Sequence, residues 1–289
     1  MVRDIKVKVR EVYEYLAPYL VFHFLAASLL ALFVYTEIWV DPRTANLDHG
    51  FDRNNSAILK SYIYPETVSA LEVVLLAAMV PGVVVAWWCL IAEDSCRLRS
   101  FASASSHRLL EPRPKWISPK LHMVQVTYTA LFLTLAIAGA ATNILKLLIG
   151  NARPDFFARC FNNNGAPQIP ADLASSSRIT LGQCTQSSHR LLMEGLKSTP
   201  SGHASFVTAG LGFLFQWQCE WITVSRARHL WCPIVCLIVM ISRVTDHRHH
   251  WYDVMAGCLL GLMCSWLPWV KLLSVKRLDT NATESELPL

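Results

Sequence analysis

The sequence predicts an all-α fold: a polytopic membrane bundle of six transmembrane helices with a functional site at its lumenal or exoplasmic face. Three observations predict it. The 289 residues are 53% hydrophobic and 16% charged, whereas soluble domains carry about 25% charged residues. The apolar residues come in long unbroken runs. Finally, Ser242–Asp253 packs arginines, histidines and aspartates between two such runs, where ionisable groups are costly unless paired or wet.

Taken in order, Tyr15–Thr36, Val73–Ala92, Leu121–Leu145 and Ser198–Cys219 each run 20 or more residues without Lys, Arg, Asp or Glu. About 20 residues cross the hydrocarbon core. Val254–Val270 supplies 17 and His229–Ser242 only 14. The last is short by length alone, and is read as a span because its end must rise into a polar pocket containing Arg243. Pro81-Gly82 predicts a kink in the second run, tolerable where neighbouring helices satisfy the backbone. Residues 1–14 form a basic N-terminal segment, 15–274 the helical domain, and 275–289 a polar tail. The first run has span length and no small-residue cleavage site after it, so it reads as a span rather than a cleavable signal. No 20–50-residue repeat and no soluble second domain is apparent.

Six spans put 15 of the 26 lysines and arginines on the side of the two termini. The positive-inside rule makes that side cytosolic, in an endomembrane or the plasma membrane. The net charge of +5 needs no nucleic-acid partner. The loops 37–67 and 150–203 then lie in the lumen or outside. Asn54-Asn55-Ser56 is a glycosylation sequon on that side, whereas Asn281-Ala-Thr283 falls in the cytosolic tail. Cys160 and Cys184 share the long loop in an oxidising compartment and are candidates for a disulfide. The other seven cysteines lie in or beside spans, as small buried hydrophobes.

Three stretches carry chemistry. Lys146 and Arg153 stand seven residues apart at the end of the third run, nearly two helical turns and on one face. Pro154 biases Arg153 out of the helix, which predicts a helix end around Gly150–Ala152. Taken alone, the pair reads equally as snorkelling cations. Pro200-Ser201-Gly202-His203 opens the fourth span, and a Gly-bearing turn feeding a helix N-terminus offers backbone N–H groups to an anion. Alone, it is an ordinary Ser-capped start. In the third stretch His249 and Asp253 are four apart, so an Asp253 that opens the next helix can reach the imidazole. Such a pair fixes the tautomer and frees the other ring nitrogen for nucleophilic attack. Arg243 and Arg248 supply planar donor forks suited to phosphate oxygens. A metal cluster is disfavoured because His-x-His-His lacks a settled ligand spacing. Helix parity collects all three stretches at one membrane face, and their joint reading is a pocket for a phosphate group.

Lys146-x6-Arg153-Pro154, Pro200-Ser201-Gly202-His203 and Ser242-Arg243-x5-His249-x3-Asp253 resemble the three motifs of the type 2 phosphatidic acid phosphatase superfamily. The resemblance covers spans three to six. The wording Glu194-Gly-Leu-Lys197-Ser-Thr-Pro200 and Asp246-His-Arg-His249-His-Trp-Tyr-Asp253 is most similar to the fungal lipid phosphate phosphatases. Those enzymes dephosphorylate phosphatidate, lysophosphatidate and diacylglycerol pyrophosphate without magnesium. The resemblance implies that His249 attacks phosphorus to form a phosphohistidine, that Asp253 orients it, and that His203 protonates the departing alkoxide. It further implies that Lys146, Arg153, Ser201, Gly202 and Arg243 hold the phosphate, with no cofactor and no metal. Asp246 and His250 are left to local hydrogen bonding. The implied partners are lipid phosphates in the bilayer. Isoprenyl or dolichyl diphosphates and sphingoid-base phosphates are alternative substrates, and lipid-phosphate binding without hydrolysis is the alternative from another class. Soluble phosphatases and vanadium haloperoxidases share such motifs, but the apolar runs argue against both.

Overall fold

A computed structural model describes residues 2–43, 49–92, 114, 116–161, 167–173, 175–222 and 224–273. Most of the basic 93–120 connection and the 275–289 tail with its Asn281 sequon lie outside these described residues. Helix α1, Val2–Trp39, runs without interruption through the basic N-terminal segment into the first apolar run. Helix α2, Ala70–Ile91, opens on Ser69, which forms a reciprocal capping box with Glu72. Where Pro81-Gly82 predicts a kink, the helix winds as π over Leu75–Met79, just before Pro81, and again over Trp87–Ile91. Pro81 has no N–H for the Ala77 carbonyl, so the regular i→i−4 ladder cannot pass through it.

Helix α3, Pro119–Ile149, starts from the cap Ser118 with proline in its first turn and ends on Gly150. That glycine has φ +61°, and a Cβ on it would lie 2.6 Å from the Arg43 carbonyl oxygen, so only glycine fits. The short helices α4, Phe156–Cys160, and α5, His189–Glu194, follow in the long connection. Helix α6 is Gly202–Trp221, α7 is Trp231–Thr245, and α8 is Trp251–Pro268, which continues as a π turn over Trp269–Leu273.

Among the described residues, five stretches are long and apolar enough to cross a membrane: Val7–Trp39, Ala70–Ile91, Pro119–Ile149, Arg226–Thr245 and Trp251–Leu273. The segment that looked short in sequence reaches 20 residues because the turn Arg226–His229 leads directly into α7. The run Ser198–Cys219 differs from expectation. Its helix begins four residues later and is too polar, with His203, Ser205, Thr208, Gln216 and Gln218, to stand out by composition. Its position explains that composition. Helix α6 is central and packs on α3, α7 and α8, so its polar groups other than the exposed Gln216 meet protein. Thr208 Oγ1 donates to the Ala204 carbonyl at 2.6 Å, and Ser205 Oγ pairs with Thr142 Oγ1 of α3 at 2.7 Å. Trp217, Phe213 and Leu214 of α6 are fully buried, whereas α1, α2, α7 and α8 carry exposed rows of large apolar side chains.

Close packing of α6 on α8 rests on Gly257 and Gly261. A Cβ at the first would strike the Ser201 carbonyl, and one at the second the Ser205 carbonyl and Thr208 Oγ1. Small residues one turn apart let helix backbones approach in this way. The two helix starts are consequently joined directly, with Ser201 N–H donating to the Asp253 carbonyl at 3.0 Å.

Over the same helix ends the loop 49–69 and the described residues of the 150–201 connection form a cap. Strands β1, Phe51–Asp52, and β2, Arg178–Ile179, pair antiparallel with Phe51 opposite Ile179. Beneath them Ile58, Phe156, Phe157, Ile179 and Leu196 build a second apolar core. Cys160 is bonded to Cys184 with S–S 2.08 Å. Asn54 is exposed on a turn of this cap.

Candidate active site

The turn after α7 delivers the histidine. His247 adopts φ +55°, the left-handed conformation that ends helices. Its N–H bonds the Val244 carbonyl at 3.1 Å, and Arg248 N–H reaches back to the Arg243 carbonyl at 3.1 Å. This pattern is a Schellman closure with a histidine where glycine is usual. It turns the chain back so that Arg248 and His249 face the ends of α3 and α6. Both are buried, His249 to 3% exposure.

His249 Nδ1 lies 2.7 Å from the Ser198 carbonyl. A carbonyl only accepts, so Nδ1 carries the proton and Nε2 keeps its lone pair. Burial, reinforced by the charges of Arg153 and Lys146, pushes this imidazole well below the usual histidine value. It is neutral at neutral pH.

The sequence reading paired His249 with Asp253, and this needs correction. Asp253 does open α8, but its carboxylate reaches the neighbouring imidazole. Oδ2 accepts from the His250 backbone N–H at 2.9 Å, from His250 Nδ1 at 3.0 Å and from Ser198 Oγ at 2.6 Å, while Oδ1 accepts from Thr199 Oγ1. The reason is local. Asp253 is the third residue of the helix and His250 its cap, so the two close a capping box. Asp253 is therefore linked to His249 only by way of Ser198, and His250 acquires a defined place.

One cavity of about 620 Å³ is lined by Lys146, Arg153, Gly202, His203, Arg243 and His249. Ser201 and Asp253 sit behind this wall. Among the described residues, three buried donors there lack a protein partner: Ser201 Oγ, Arg153 Nε and Arg248 Nε. An unpaired buried donor costs about 1–3 kcal/mol, so such atoms point to an anion or water supplied from the cavity. His203 Nε2 is 3.1 Å from the Val68 carbonyl, which fixes the ring at the head of α6.

Sequence reasoning missed the carboxylates that hold these cations. Arg153 Nη2 meets Glu194 at 3.2 Å, and Glu194 also meets Lys197 at 3.2 Å. Burial opposes ionisation of Glu194, yet Arg153, Lys146 and Lys197 hold its carboxyl down to about 2. All three nitrogens of Arg243 are engaged: Nε with Ser242 Oγ at 3.2 Å, Nη1 with Glu66 at 2.8 Å and Nη2 with Asp246 at 2.9 Å. Asp246 is itself tied to Thr67, accepting from N–H at 2.8 Å and Oγ1 at 2.7 Å. Two of these pairs left a local signal, Glu194 with Lys197 and Arg243 with Asp246, each an acid and a base three apart, and local hydrogen bonding was the role expected of Asp246. Glu66 lies 177 residues from Arg243, and nothing local marks it.

Below the charged end, the cavity continues between helices. Leu30 and Phe33 of α1, Val73 and Val74 of α2, Leu135 of α3 and Phe206 of α6 line it. It joins a cationic pole to an apolar groove, a shape that suits an amphiphile with an anionic head.

Comparison with known proteins agrees with this chemistry. The model of the PAP2 superfamily matches residues 127–276. Lipid phosphate phosphatase 1 of Saccharomyces cerevisiae is 36% identical over 257 residues, 89% of each chain. Diacylglycerol pyrophosphate phosphatase 1 of the same yeast is 35% identical over 156 residues, 50% of this chain and 52% of that one. Lipid phosphate phosphatase 2 of Arabidopsis thaliana is 36% identical over 142 residues, 46% of each. No solved structure gives a significant match.

Proposed function

The chain belongs to the PAP2 superfamily, and from that premise we propose that it is a magnesium-independent lipid phosphate phosphatase. Its substrates are phosphatidic acid, lysophosphatidic acid and diacylglycerol pyrophosphate, and it works through a phosphohistidine. The observation that carries the reading is His249, held as a neutral imidazole with Nε2 bare, on a cavity shared with Lys146, Arg153 and Arg243. Nε2 attacks phosphorus. The bond to the lipid oxygen breaks, and His203, entering this step as an imidazolium with Nε2–H on the Val68 carbonyl, gives that oxygen its Nδ1 proton, as a poor leaving group needs. Water then takes the phosphoryl group from His249, releasing inorganic phosphate. Fixed cations, with Ser201 Oγ and the Gly202 backbone, stabilise the nonbridging oxygens, the work a metal ion does in other phosphoryl-transfer enzymes.

In this reading α6 is the sixth span, shielded from lipid by its neighbours, and both termini are cytosolic. The cap and site face the lumen or exterior. The Cys160–Cys184 bond supports that placement, since disulfides persist in oxidising compartments. The Asn54 sequon then lies where glycosylation occurs.

The test is phosphate release from detergent-dispersed phosphatidic acid by the purified full chain in excess EDTA, beside His249→Ala and Lys146→Ala. The expected result is activity in the unsubstituted chain alone. Full activity in His249→Ala would remove the nucleophile, and inactivity that magnesium restores would remove the metal-independent step.

A further inference from the structure

Arg248 is a cation on the cavity wall that the reaction above leaves unused. It is 6% exposed and firmly placed. Its Nη2 donates to the Ile63 carbonyl at 2.8 Å, and Nη1 lies 3.5 Å from Asp155. The guanidinium stands 4.6 Å from the Tyr62 ring centre, against which Arg159 also stacks at 4.9 Å. Arg159 is in turn held at both ends by Asp155, at 2.9 Å each. One atom of this assembly is unanswered: Arg248 Nε is buried without a hydrogen-bond partner among the described residues.

The Glu66 carboxylate lies beside it. Its Oε2 is 4.0 Å from Arg248 Nε and 2.8 Å from Arg243 Nη1. A single carboxylate oxygen therefore sits between two buried guanidinium groups, on a side chain 30% exposed. Asp246, the other acid on Arg243, is 4% exposed and anchored to Thr67. Of the two, Glu66 is the one able to withdraw.

We propose that the position Glu66 holds between Arg243 and Arg248 is a second anion seat, taking the phosphate adjoining the scissile one when the substrate is a lipid diphosphate. The proposal rests on the phosphatase reading and names the substrate class favoured by the site. A phosphate oxygen competes with a carboxylate for the same guanidinium donors, and arginine forks match it well. In the diphosphate reaction His249 Nε2 bonds the distal phosphorus, and the bond from that phosphorus to the bridging oxygen breaks. The bridging oxygen keeps the electron pair and leaves as part of the lipid monophosphate. The charge it gains falls between Arg243 and Arg248, so this departure needs no proton. Water then releases the phosphoryl group from His249 as inorganic phosphate. A lipid monophosphate brings no second phosphate, and Glu66 stays in place.

The two sides of the seat make opposite predictions. The assay is kcat/KM of the purified full chain on diacylglycerol pyrophosphate and on phosphatidic acid in the same micelles. Arg248→Gln lowers the ratio of diphosphate to monophosphate activity about tenfold, equivalent to about 1.4 kcal/mol. Glu66→Gln keeps the shape, removes the competing charge, and raises that ratio. Should Arg248→Gln fail to fold, Glu66→Gln still decides, together with inhibition by inorganic pyrophosphate relative to orthophosphate. Glu66→Gln is expected to tighten pyrophosphate more than orthophosphate. A ratio left unchanged by Glu66→Gln, or equal losses on both lipids in both variants, overturns the seat and leaves the phosphatase reading standing. An unsubstituted chain that hydrolyses neither lipid overturns the phosphatase reading itself.

Discussion

Asp253→Asn separates two ways of orienting His249. If the carboxylate held the imidazole directly, the amide would favour the wrong tautomer, a change that costs about ten-thousandfold in a serine-hydrolase triad. Here the Ser198 carbonyl holds Nδ1 at 2.7 Å and stays a pure acceptor whatever stands at position 253. What the substitution removes is charge. Ser198 Oγ, the His250 N–H and His250 Nδ1 all meet Oδ2, and an amide oxygen placed there accepts them as neutral bonds. The amide nitrogen would face Thr199 Oγ1, whose hydroxyl can turn to accept. Charged hydrogen bonds contribute about 1.5–3 kcal/mol against about 0.5–1.5 for neutral ones, so three such bonds weaken by about 3 kcal/mol in total. If all of that appeared as displacement of Ser198 and His249, kcat would fall about a hundredfold, at about 1.4 kcal/mol per factor of ten. Phosphate release from phosphatidic acid, with His249→Ala as the zero, measures it. Residual activity at about one to ten percent of the unsubstituted chain is expected. Asp253→Asn as dead as His249→Ala would refute the indirect path.

Two further outcomes follow from the same geometry. In Gly202→Ala the new Cβ would lie 3.2 Å from Lys146 Nζ and touch no backbone. The fold should hold, with an unchanged melting temperature, while the displaced ammonium lowers kcat/KM about tenfold, since an ångström of misplacement can cost about a hundredfold; unchanged kinetics would mean that Lys146 does not contact the phosphate. His249 titrates near 6.5 when unfolded and well below that when folded, so between those values the unfolded chain holds the extra proton and stability falls as pH drops below about 6.5. The slope of apparent melting temperature against pH should be shallower in His249→Gln between about pH 6.5 and 5, and equal slopes would show that the buried imidazole is not neutral.

Features that depend on neighbours along the chain are legible in the amino-acid sequence. Apolar runs marked α1, α2, α3 and α6, and a shorter one α8, because crossing hydrocarbon is a requirement on composition. Lys146, Arg153, His203, Arg243 and His249 were legible because their helix ends fall on one side by parity, and all five line one cavity. Tertiary structure decided the rest. It made α6 central, so that this helix needs no apolar surface, and it packed two connections into a cap with its own core. It assigned Asp253 to His250 and to Ser198, whose carbonyl holds His249. It also brought Glu66 to Arg243 across 177 residues of chain. Spacing along a helix reports which side chains share a face. It does not report which of two adjacent imidazoles a carboxylate will meet, nor which distant loop supplies the counter-charge. Those outcomes depend on desolvation, since a buried ion must find a partner in space.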